Sequence, residues 1–288
     1  MISASLVKEL REKTGAGMMD CKKALEACNA NIDEAIDWLR EKGISKAAKK
    51  ADRIAAEGLS AILVEGNTAA IVEVNSETDF VAKNAEFTDL VSTVLKAIIS
   101  SDAKTVEELN EVEVDGTKIG DLVVSKTATI GEKLSIRRFE KVTKTDSQNF
   151  GEYIHMGGRI AVLTLIDGAN VEVAKDVAMH AAAMRPSYVR ISDVPESEVE
   201  KEKAILTEQA MNEGKPKEIA EKMVLGRINK FYKEICLEEQ PFVKDQDKSV
   251  KQFVKEAGGE ISCKSDFCGK WNGQPGVRAG DCGFYPGV

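Results

Sequence analysis

The strongest constraint on the fold is a change of apolar period between residues 59 and 98. Two apolar stretches, LSAILVEG and TAAIVEV, flank Gly66-Asn67, a dipeptide typical of a tight turn between antiparallel strands. Asn84 can then cap a helix. That helix carries an apolar stripe at spacings of three and four residues, formed by Phe87, Leu90, Val91, Val94, Leu95 and Ile98. A hairpin followed by an amphipathic helix predicts an α+β fold, with the helix covering one face of the sheet.

The same order of elements recurs further along the chain. FGEYIHM and RIAVLTLI flank Gly157-Gly158 and predict a second hairpin, and VEVAKDVAMHAAAM predicts a helix packed against it. The two segments share no obvious identity. The pattern is nevertheless consistent with a weak internal duplication, in which two related α+β modules form the core.

The N-terminal region has the pattern of a small helical bundle. The first residues have an apolar face at helical spacing. The stretch TGAGMMD interrupts this helical pattern, and CKKALEAC resumes it. Asn31 and Glu34 have capping-box spacing, and the third helix is predicted to end near Gly43. The basic stretch that follows, KGISKAAKKADR, is interpreted as a solvated linker helix rather than a nucleic-acid site, because charge runs are usually solvated.

Two long, highly charged helices are predicted after Arg185-Pro186, with a turn at Gly214-Lys215-Pro216. Their apolar positions form a narrow seam: Val199, Leu206, Ala210, Ile219, Met223, Ile228, Phe231 and Tyr232. A seam this narrow predicts an antiparallel helical hairpin that projects as an arm, over about residues 187–238.

The chain changes character from Ser262 onward. The tail, 262–288, is rich in Gly and Cys and has neither helical period nor strand alternation. We therefore expect it to be disordered. Its three cysteines, Cys263, Cys268 and Cys282, lack the close paired spacing of a zinc site, so no metal is predicted.

Composition limits the classes of partner. The net charge is −8, from 40 Lys and Arg against 48 Asp and Glu, which argues against nucleic acid as the main partner. The first residues, MISASLVKELREK, are charged too early for a signal peptide, and no apolar run approaches the roughly 20 residues of a membrane helix. We therefore expect a cytoplasmic protein without a membrane partner.

Motifs for catalysis are not found. The chain has two His residues and lacks the phosphate-loop pattern as well as the GxSxG and HExxH patterns. His180 is predicted on the apolar face of a helix, in a core or interface role. His155 is predicted in a hairpin, where a surface contact is favoured over general-base chemistry. No cofactor is implied, and the chain is interpreted as a binding or regulatory protein rather than an enzyme.

Two short segments do not fit a purely structural reading. Met18 and Met19 follow a glycine-containing turn, and two adjacent Met side chains cannot both face one small core. Phe80 places a large ring directly after Asp79, at the junction between a strand and a helix. From the residues alone, core packing and a contact with a partner both remain open for each segment.

Four stretches of this sequence resemble the bacterial elongation factor Ts family. LREKTGAGMMDCKKAL (10–25) and EVNSETDFVAKN (73–84) match its two long signatures, and IGEKLSIRR (130–138) and GKPKEIAEKMVLGR (214–227) are similar to other parts of it. The similarity covers roughly residues 1–260 in the expected order. The resemblance implies guanine-nucleotide exchange on the translational GTPase elongation factor Tu, with no bond made or broken in the nucleotide.

The resemblance also implies an architecture and a set of domain boundaries. A three-helix ubiquitin-associated-like domain with its basic linker is expected first, followed by a core of two related α+β subdomains and a helical hairpin that projects from the second. The expected spans are 1–53, 54–140, 141–261 and, for the atypical tail, 262–288. Members of the family normally continue with a further strand where this tail begins, so the resemblance implies that the second subdomain lacks a strand and has an unpaired edge.

In this family the Asp-Phe pair is carried to the GTPase, where the ring disturbs the magnesium and phosphate-loop region. By that match Phe80 is the expected wedge, Asp79 is its polar neighbour, and Thr78 and Val81 complete the loop. Docking on the same GTPase is expected for Arg11, Met18 and Met19, and for His155 through the second subdomain. Family members differ in whether the hairpin supports self-association, so that point stays open.

Two other classes of function remain as alternatives. One is an enzyme with an unrecognised site around His155 and His180. The other is a ubiquitin-like adaptor that uses only its three N-terminal helices.

Overall fold

The computed structural model of the protein describes residues 2–214, 217–262 and 283–284. The chain divides into two compact units. Among the described residues, the first unit comprises 2–63 and 70–141, and the second comprises 64–69, 142–214, 217–262 and 283–284. Each unit contains both helices and paired strands, which is compatible with the predicted α+β class. Within the described part of the chain, no helix combines the length and the apolar character needed to cross a bilayer.

The first unit begins with three helices, α1 (Ala4–Thr14), α2 (Met18–Ala27) and α3 (Ile32–Ala48). Side chains cap two of them, because Ser3 accepts a hydrogen bond from the Leu6 N–H and Asn31 accepts from the N–H groups of Asp33 and Glu34. The helices enclose a small core that includes Leu10, Cys21, Leu25 and Ala35. The predicted bundle is therefore present.

The predicted hairpin and helix follow, as β1 (Glu57–Glu65), β2 (Thr68–Ser76) and α5 (Ala85–Ser100), after a short helix α4 (Asp79–Ala82). The Asn84 side chain accepts a hydrogen bond from the Glu86 N–H at 2.8 Å and caps α5 as predicted. The helical stripe is buried against β2 in a core formed in part by Val72, Val74, Phe87, Leu90, Val91, Val94, Leu95 and Ile98.

The unit is completed by elements that the apolar pattern did not predict. After α6 (Val106–Asn110), these are β3 (Glu113–Val114), β4 (Thr117–Lys118) and α7 (Ile119–Ile130). Strand β5 (Ser135–Thr143) pairs with β2 and gives the sheet the order β1-β2-β5. The turn between β3 and β4 is Asp115-Gly116, in which both residues have positive φ, 52° and 76°.

The third helix is longer than predicted, because α3 ends at Ala48 rather than near Gly43. Gly43 is buried, and a Cβ atom added to it would lie 3.4 Å from the Cβ atom of Ala128 in α7. The glycine thus lets α3 and α7 pack closely and does not end the helix. The first part of the basic stretch therefore belongs to α3, and it is not a separate linker helix.

The second unit repeats the order hairpin, helix, third strand. Strands β6 (Gln148–His155) and β7 (Ile160–Asp167) pair antiparallel, with His155 opposite Ile160, and α8 (Val171–Met184) packs on both. At Gly151 the backbone of α8 comes so close that an added Cβ atom would lie 2.1 Å from the Ala174 carbonyl oxygen. Thr164 strengthens this contact by donating a hydrogen bond to the same oxygen at 2.8 Å.

The predicted helical hairpin is formed by α9 (Glu196–Asn212) and α10 (Lys217–Ile235), which pack against each other. Leu206, Val224 and Ile228 are buried in its seam. The prediction was wrong for Ile219, whose side chain is half exposed. Val224, which sequence reasoning left out, lies in the seam with Ile228, four residues further along the same face of α10.

After the hairpin come β8 (Pro241–Phe242), β9 (Asp245–Ser249), α11 (Val250–Glu256), β10 (Glu260–Ile261) and β11 (Gly283–Phe284). Strands β10 and β11 both pair antiparallel with β7. The expected unpaired edge was therefore wrong at these registers, because backbone pairing does not require alternating side chains. The remainder of the predicted disordered tail, including Cys263, Cys268 and Cys282, lies outside the described residues.

Candidate functional site

The segment Thr78–Val81, predicted as a loop, is mostly a single helical turn. Helix α4 begins at Asp79, and the Thr78 hydroxyl caps it by accepting a hydrogen bond from the Val81 N–H at 3.5 Å. The cap is itself fixed, because the Ser76 hydroxyl donates to the Thr78 carbonyl oxygen at 2.9 Å. A capped turn holds its side chains in more defined directions than an open loop does.

Phe80 points away from the core on this turn, and 81% of its surface is exposed. Its neighbour Val81 is half buried and packs on the core of the first unit. Val81 thus fixes the turn to the core while the Phe80 ring remains in solvent. Of the two interpretations left open for Phe80, core packing is excluded by this exposure.

Asp79 is partly exposed beside the ring. Its carboxylate lies 3.4 Å from the Lys83 ammonium, one helical turn further on. An exposed pair of this kind stabilises a protein by only about 0.3–0.5 kcal/mol. Both charges therefore remain available to a partner at little energetic cost.

The turn is held by a carboxylate that sequence reasoning missed. Glu132 accepts three hydrogen bonds from it: from the Glu77 N–H at 3.1 Å, the Thr78 N–H at 2.9 Å and the Thr78 hydroxyl at 2.7 Å. Glu132 lies within IGEKLSIRR, a stretch that was noted only for its resemblance. Because the partners are more than 50 positions apart in the chain, periodicity could not reveal the contact.

Glu77 makes the reciprocal contact. Its carboxylate accepts a hydrogen bond from the Lys133 N–H at 2.6 Å and faces the Arg53 guanidinium at 3.3 Å. The backbone hydrogen bond from Lys133 and the charge of Arg53 lower the pKa of Glu77. Glu77 is therefore held ionised. Glu77 and Glu132 thus each accept a backbone hydrogen bond from the segment that carries the other glutamate.

The second set of candidate residues lies at the start of the chain. Met18 and Met19 begin α2 and are 60% and 64% exposed, and Arg11 is exposed on α1. Both methionines therefore lie outside the bundle core, and the interpretation that one of them fills it is excluded. Adjacent, flexible and exposed Met side chains form an adaptable apolar surface of the kind that binds other proteins.

The turn before α2 is rigid although it contains glycine. Gly15 has φ 66° and donates its N–H to the Arg11 carbonyl oxygen at 2.8 Å, and the Thr14 hydroxyl donates to Leu10 at 2.7 Å. Cys21 is buried directly beneath, and burial raises the pKa of its thiol. A protonated, enclosed thiol of this kind is structural rather than reactive.

His155 lies at the end of β6 in the second unit and is exposed. Its ring stacks on Tyr153 with 6.0 Å between ring centroids, and the Tyr153 hydroxyl lies 3.4 Å from Nδ1. Ile154 and Met156 are also exposed at this tip. The tip of the hairpin is thus an aromatic and apolar surface.

His180 is a core residue, which confirms its prediction. It is fully buried, its Nδ1 accepts a hydrogen bond from the Val243 N–H at 3.1 Å, and its Nε2 lies 3.0 Å from the Gln240 side-chain oxygen. Burial lowers the pKa of this imidazole. With both ring nitrogens engaged inside the protein, His180 has no access to a substrate.

The predicted residues thus fall into three surfaces. Thr78, Asp79, Phe80 and Val81 form one turn in the first unit, Met18 and Met19 adjoin at the start of α2, and His155 lies in the second unit. Exposed aromatic and apolar side chains on capped, braced backbone are typical of a protein that binds another protein.

Comparison with known families identifies the family of this chain. The sequence model of the family described as elongation factor TS matches residues 77–267. The chain belongs to the elongation factor TS family. Proteins of this family are guanine-nucleotide exchange factors for elongation factor Tu in translation elongation, and they are not enzymes in the usual sense. The match includes Phe80, Glu132 and His155 and begins after Arg11, Met18 and Met19.

Proposed function

We propose that this chain accelerates GDP release from elongation factor Tu by inserting the Phe80 ring near the nucleotide site of the GTPase. The observation that carries the proposal is the 81% exposure of a Phe ring on a turn whose backbone is held by side chains. A preorganised, exposed ring loses little conformational freedom on binding, so most of its burial contributes to the complex.

The ring acts by disturbing the groups that hold GDP. GDP binds tightly because Mg²⁺ and backbone N–H groups neutralise its phosphates. An aromatic ring inserted beside them shifts the magnesium and the phosphate loop, and the off-rate of GDP rises. The factor stabilises the nucleotide-free GTPase, so GDP and the factor weaken each other's binding by the same free energy.

Docking is assigned to the two other surfaces. The three N-terminal helices, within residues 1–53, form a ubiquitin-associated-like domain that binds the GTPase through Arg11, Met18 and Met19. His155 contacts the GTPase from the second subdomain, 141–261, whereas Phe80 belongs to the first, 54–140. These side chains are exposed and lie in different parts of the chain. This supports the assignment of docking and of exchange to different residues.

We further propose that the factor works in the cytoplasm, binds both the GDP-bound and the nucleotide-free GTPase, and makes no direct contact with nucleic acid. The net charge of −8 supports the last point. No cofactor of its own is required. Self-association through α9 and α10 is consistent with Ile205, Met211 and Leu225, which are exposed on these helices.

The test is the release of labelled GDP from elongation factor Tu, with and without the purified protein. We expect release to accelerate with protein concentration and then saturate. Unchanged release would contradict the proposal. Binding by residues 1–53 alone, with no role for Phe80, would favour the adaptor alternative, and turnover of a substrate by the protein alone would favour an enzyme.

A further inference from the structure

The Phe80 turn is attached to the end of α7 by two glutamates that face in opposite directions. Glu132 accepts hydrogen bonds from the backbone N–H groups of Glu77 and Thr78, and Glu77 accepts one from the backbone N–H of Lys133. Carboxylates bound to N–H groups form strong, short hydrogen bonds. These reciprocal hydrogen bonds therefore fix the backbone immediately before Phe80 from both sides.

The segment that carries Glu132 is itself rigid. Helix α7 is capped at its C-terminal end by Gly131, which has φ 92° and donates its N–H to the Thr127 carbonyl oxygen. The Thr127 side chain is buried, and its hydroxyl accepts a hydrogen bond from the Leu134 N–H at 3.3 Å. A carboxylate that projects from such a turn can define the position of its partner segment.

Glu132 also determines how α4 begins. The Thr78 hydroxyl donates to one oxygen of Glu132, at 2.7 Å, and can therefore present a lone pair to the Val81 N–H. The direction of the Thr78 cap, and with it the first turn of α4, thus depends on Glu132. Phe80 lies within that turn, yet 54 positions separate Thr78 from Glu132 in the chain.

We propose that Glu132 is a positioning residue for nucleotide exchange, which aims the Phe80 ring by holding the Thr78 cap and the backbone before it. This inference rests on the proposed role of Phe80. Glu132 contacts Glu77 and Thr78 of the turn, and it acts through Phe80.

The test is a kinetic double-mutant cycle on GDP release from elongation factor Tu, with Phe80→Ala, Glu132→Ala and the double variant. We expect Glu132→Ala to lower the maximal rate of release about tenfold, since a misplacement of about 1 Å is enough for such losses. The half-saturating concentration of the factor should change little. In the Phe80→Ala background, Glu132→Ala should have no further effect, because groups that act as one unit are not additive.

Two further variants separate positioning from a general loss of structure. Glu132→Gln keeps an oxygen that accepts from both backbone N–H groups and an amide that can donate to Thr78, so it should stay within about threefold of the wild type. Glu108→Ala is the matched control, because it removes a carboxylate that accepts a backbone N–H of Lys104 at 2.7 Å, away from the turn. It should exchange nucleotide like the wild type.

Each outcome has a definite meaning. Normal exchange by Glu132→Ala would overturn the inference. So would a double variant whose loss of rate equals the product of the losses in the two single variants. If Glu132→Ala does not fold, the same cycle with Thr78→Val decides, because that change removes the hydroxyl that accepts from the Val81 N–H and donates to Glu132, and it leaves the Glu132 carboxylate in place. Normal exchange by Thr78→Val would then overturn the inference. If Phe80→Ala alone exchanges normally, the proposed function fails. Slow exchange by Phe80→Ala together with normal exchange by Glu132→Ala would reject only the inference.

Discussion

The two hairpin-and-helix modules differ in how the second hairpin strand is joined to the helix. In the first module, residues 77–84 connect β2 to α5, whereas in the second, residues 168–170 connect β7 to α8. In both modules the third strand, β5 or β10, pairs with the strand that precedes this connection. The shorter connection shows that the longer one is not needed to build the fold.

The short connection leaves no room for a projecting side chain. Gly168 has φ 75°, and an added Cβ atom would lie 2.7 Å from the Gly258 carbonyl oxygen, while Ala169 is buried and Asn170 caps α8. The long connection instead forms α4 and exposes Phe80. The additional residues of the long connection therefore serve a surface.

Gly151→Ala should have the largest effect and should affect the second module. The new Cβ atom would lie 2.1 Å from the backbone of Ala174, so α8 would have to move off the sheet. We expect a loss of roughly 5 kcal/mol or more in the free energy of unfolding, measured by denaturant titration.

The matched control is Gly226→Ala on α10. No described atom lies within 4 Å of the Cβ atom added there, so the same change should stabilise the helix by up to about 1 kcal/mol. Equal effects of the two substitutions would show that α8 is not packed as closely as the structure has it.

Glu73→Ala should destabilise the first module. Glu73 is fully buried in β2, between the guanidinium groups of Arg137 at 3.0 Å and Arg138 at 2.7 Å. Removing one partner of a buried ion pair costs roughly 3 kcal/mol or more, which thermal and denaturant unfolding would measure.

Its control is Glu12→Ala, which removes an exposed glutamate paired with Lys8. That substitution should cost less than about 0.5 kcal/mol. If both variants unfold at the same denaturant concentration, the buried cluster contributes nothing and the account of the first module is wrong.

Sequence reasoning predicted the parts of this fold that are encoded locally. The two hairpins, the Asn84 cap and the stripe on α5 follow from turn residues and apolar period within a single segment. The extension of α3 past Gly43 was missed, since a glycine normally indicates a helix end and here its packing against α7 decides. α7 itself was missed.

The candidate site divides in the same way. Phe80, Met18 and Met19 could be selected because large apolar residues at turns are out of place, and their exposure bears this out. The one-turn helix at Asp79 and the brace from Glu132 could not be predicted, because the first depends on a single cap and the second on residues distant in the chain. Their roles in exchange remain predictions.

Replacing both Met18 and Met19 by Ala should weaken binding to elongation factor Tu about tenfold or more, since buried anchor residues each contribute more than about 1 kcal/mol. Stability should change little, because both side chains are exposed. Calorimetric titration and thermal melts would measure the two quantities.

Ile44→Ala on α3 is the control for this pair, since it removes an equally exposed apolar side chain from the same bundle. It should bind like the wild type. A large fall in Tm with unchanged affinity for the Met18→Ala, Met19→Ala variant would assign these residues to the bundle core.

Acid should weaken the second module through His180. Burial lowers the pKa of its imidazole, so the unfolded chain takes up the proton first as the pH falls. The stability due to the neutral ring is present above the unfolded pKa of about 6.5 and is lost as the pH falls from there to the lowered pKa of the folded state, by at most about 1.4 kcal/mol per pH unit. Unfolding free energies of the wild type and His180→Gln between pH 7 and pH 5 should therefore converge, and parallel curves would count against this reading.

The central claim is that the long connection of the first module exists to present Phe80, and single-turnover release of labelled GDP from elongation factor Tu tests it most directly. Phe80→Ala would be compared with Ile54→Ala, which removes a side chain that is 85% exposed in the same unit. Both variants should fold with unchanged Tm. The account predicts that Phe80→Ala slows the maximal rate about tenfold or more, while Ile54→Ala stays within about twofold of the wild type. A folded Phe80→Ala variant that releases GDP at the wild-type rate would contradict it.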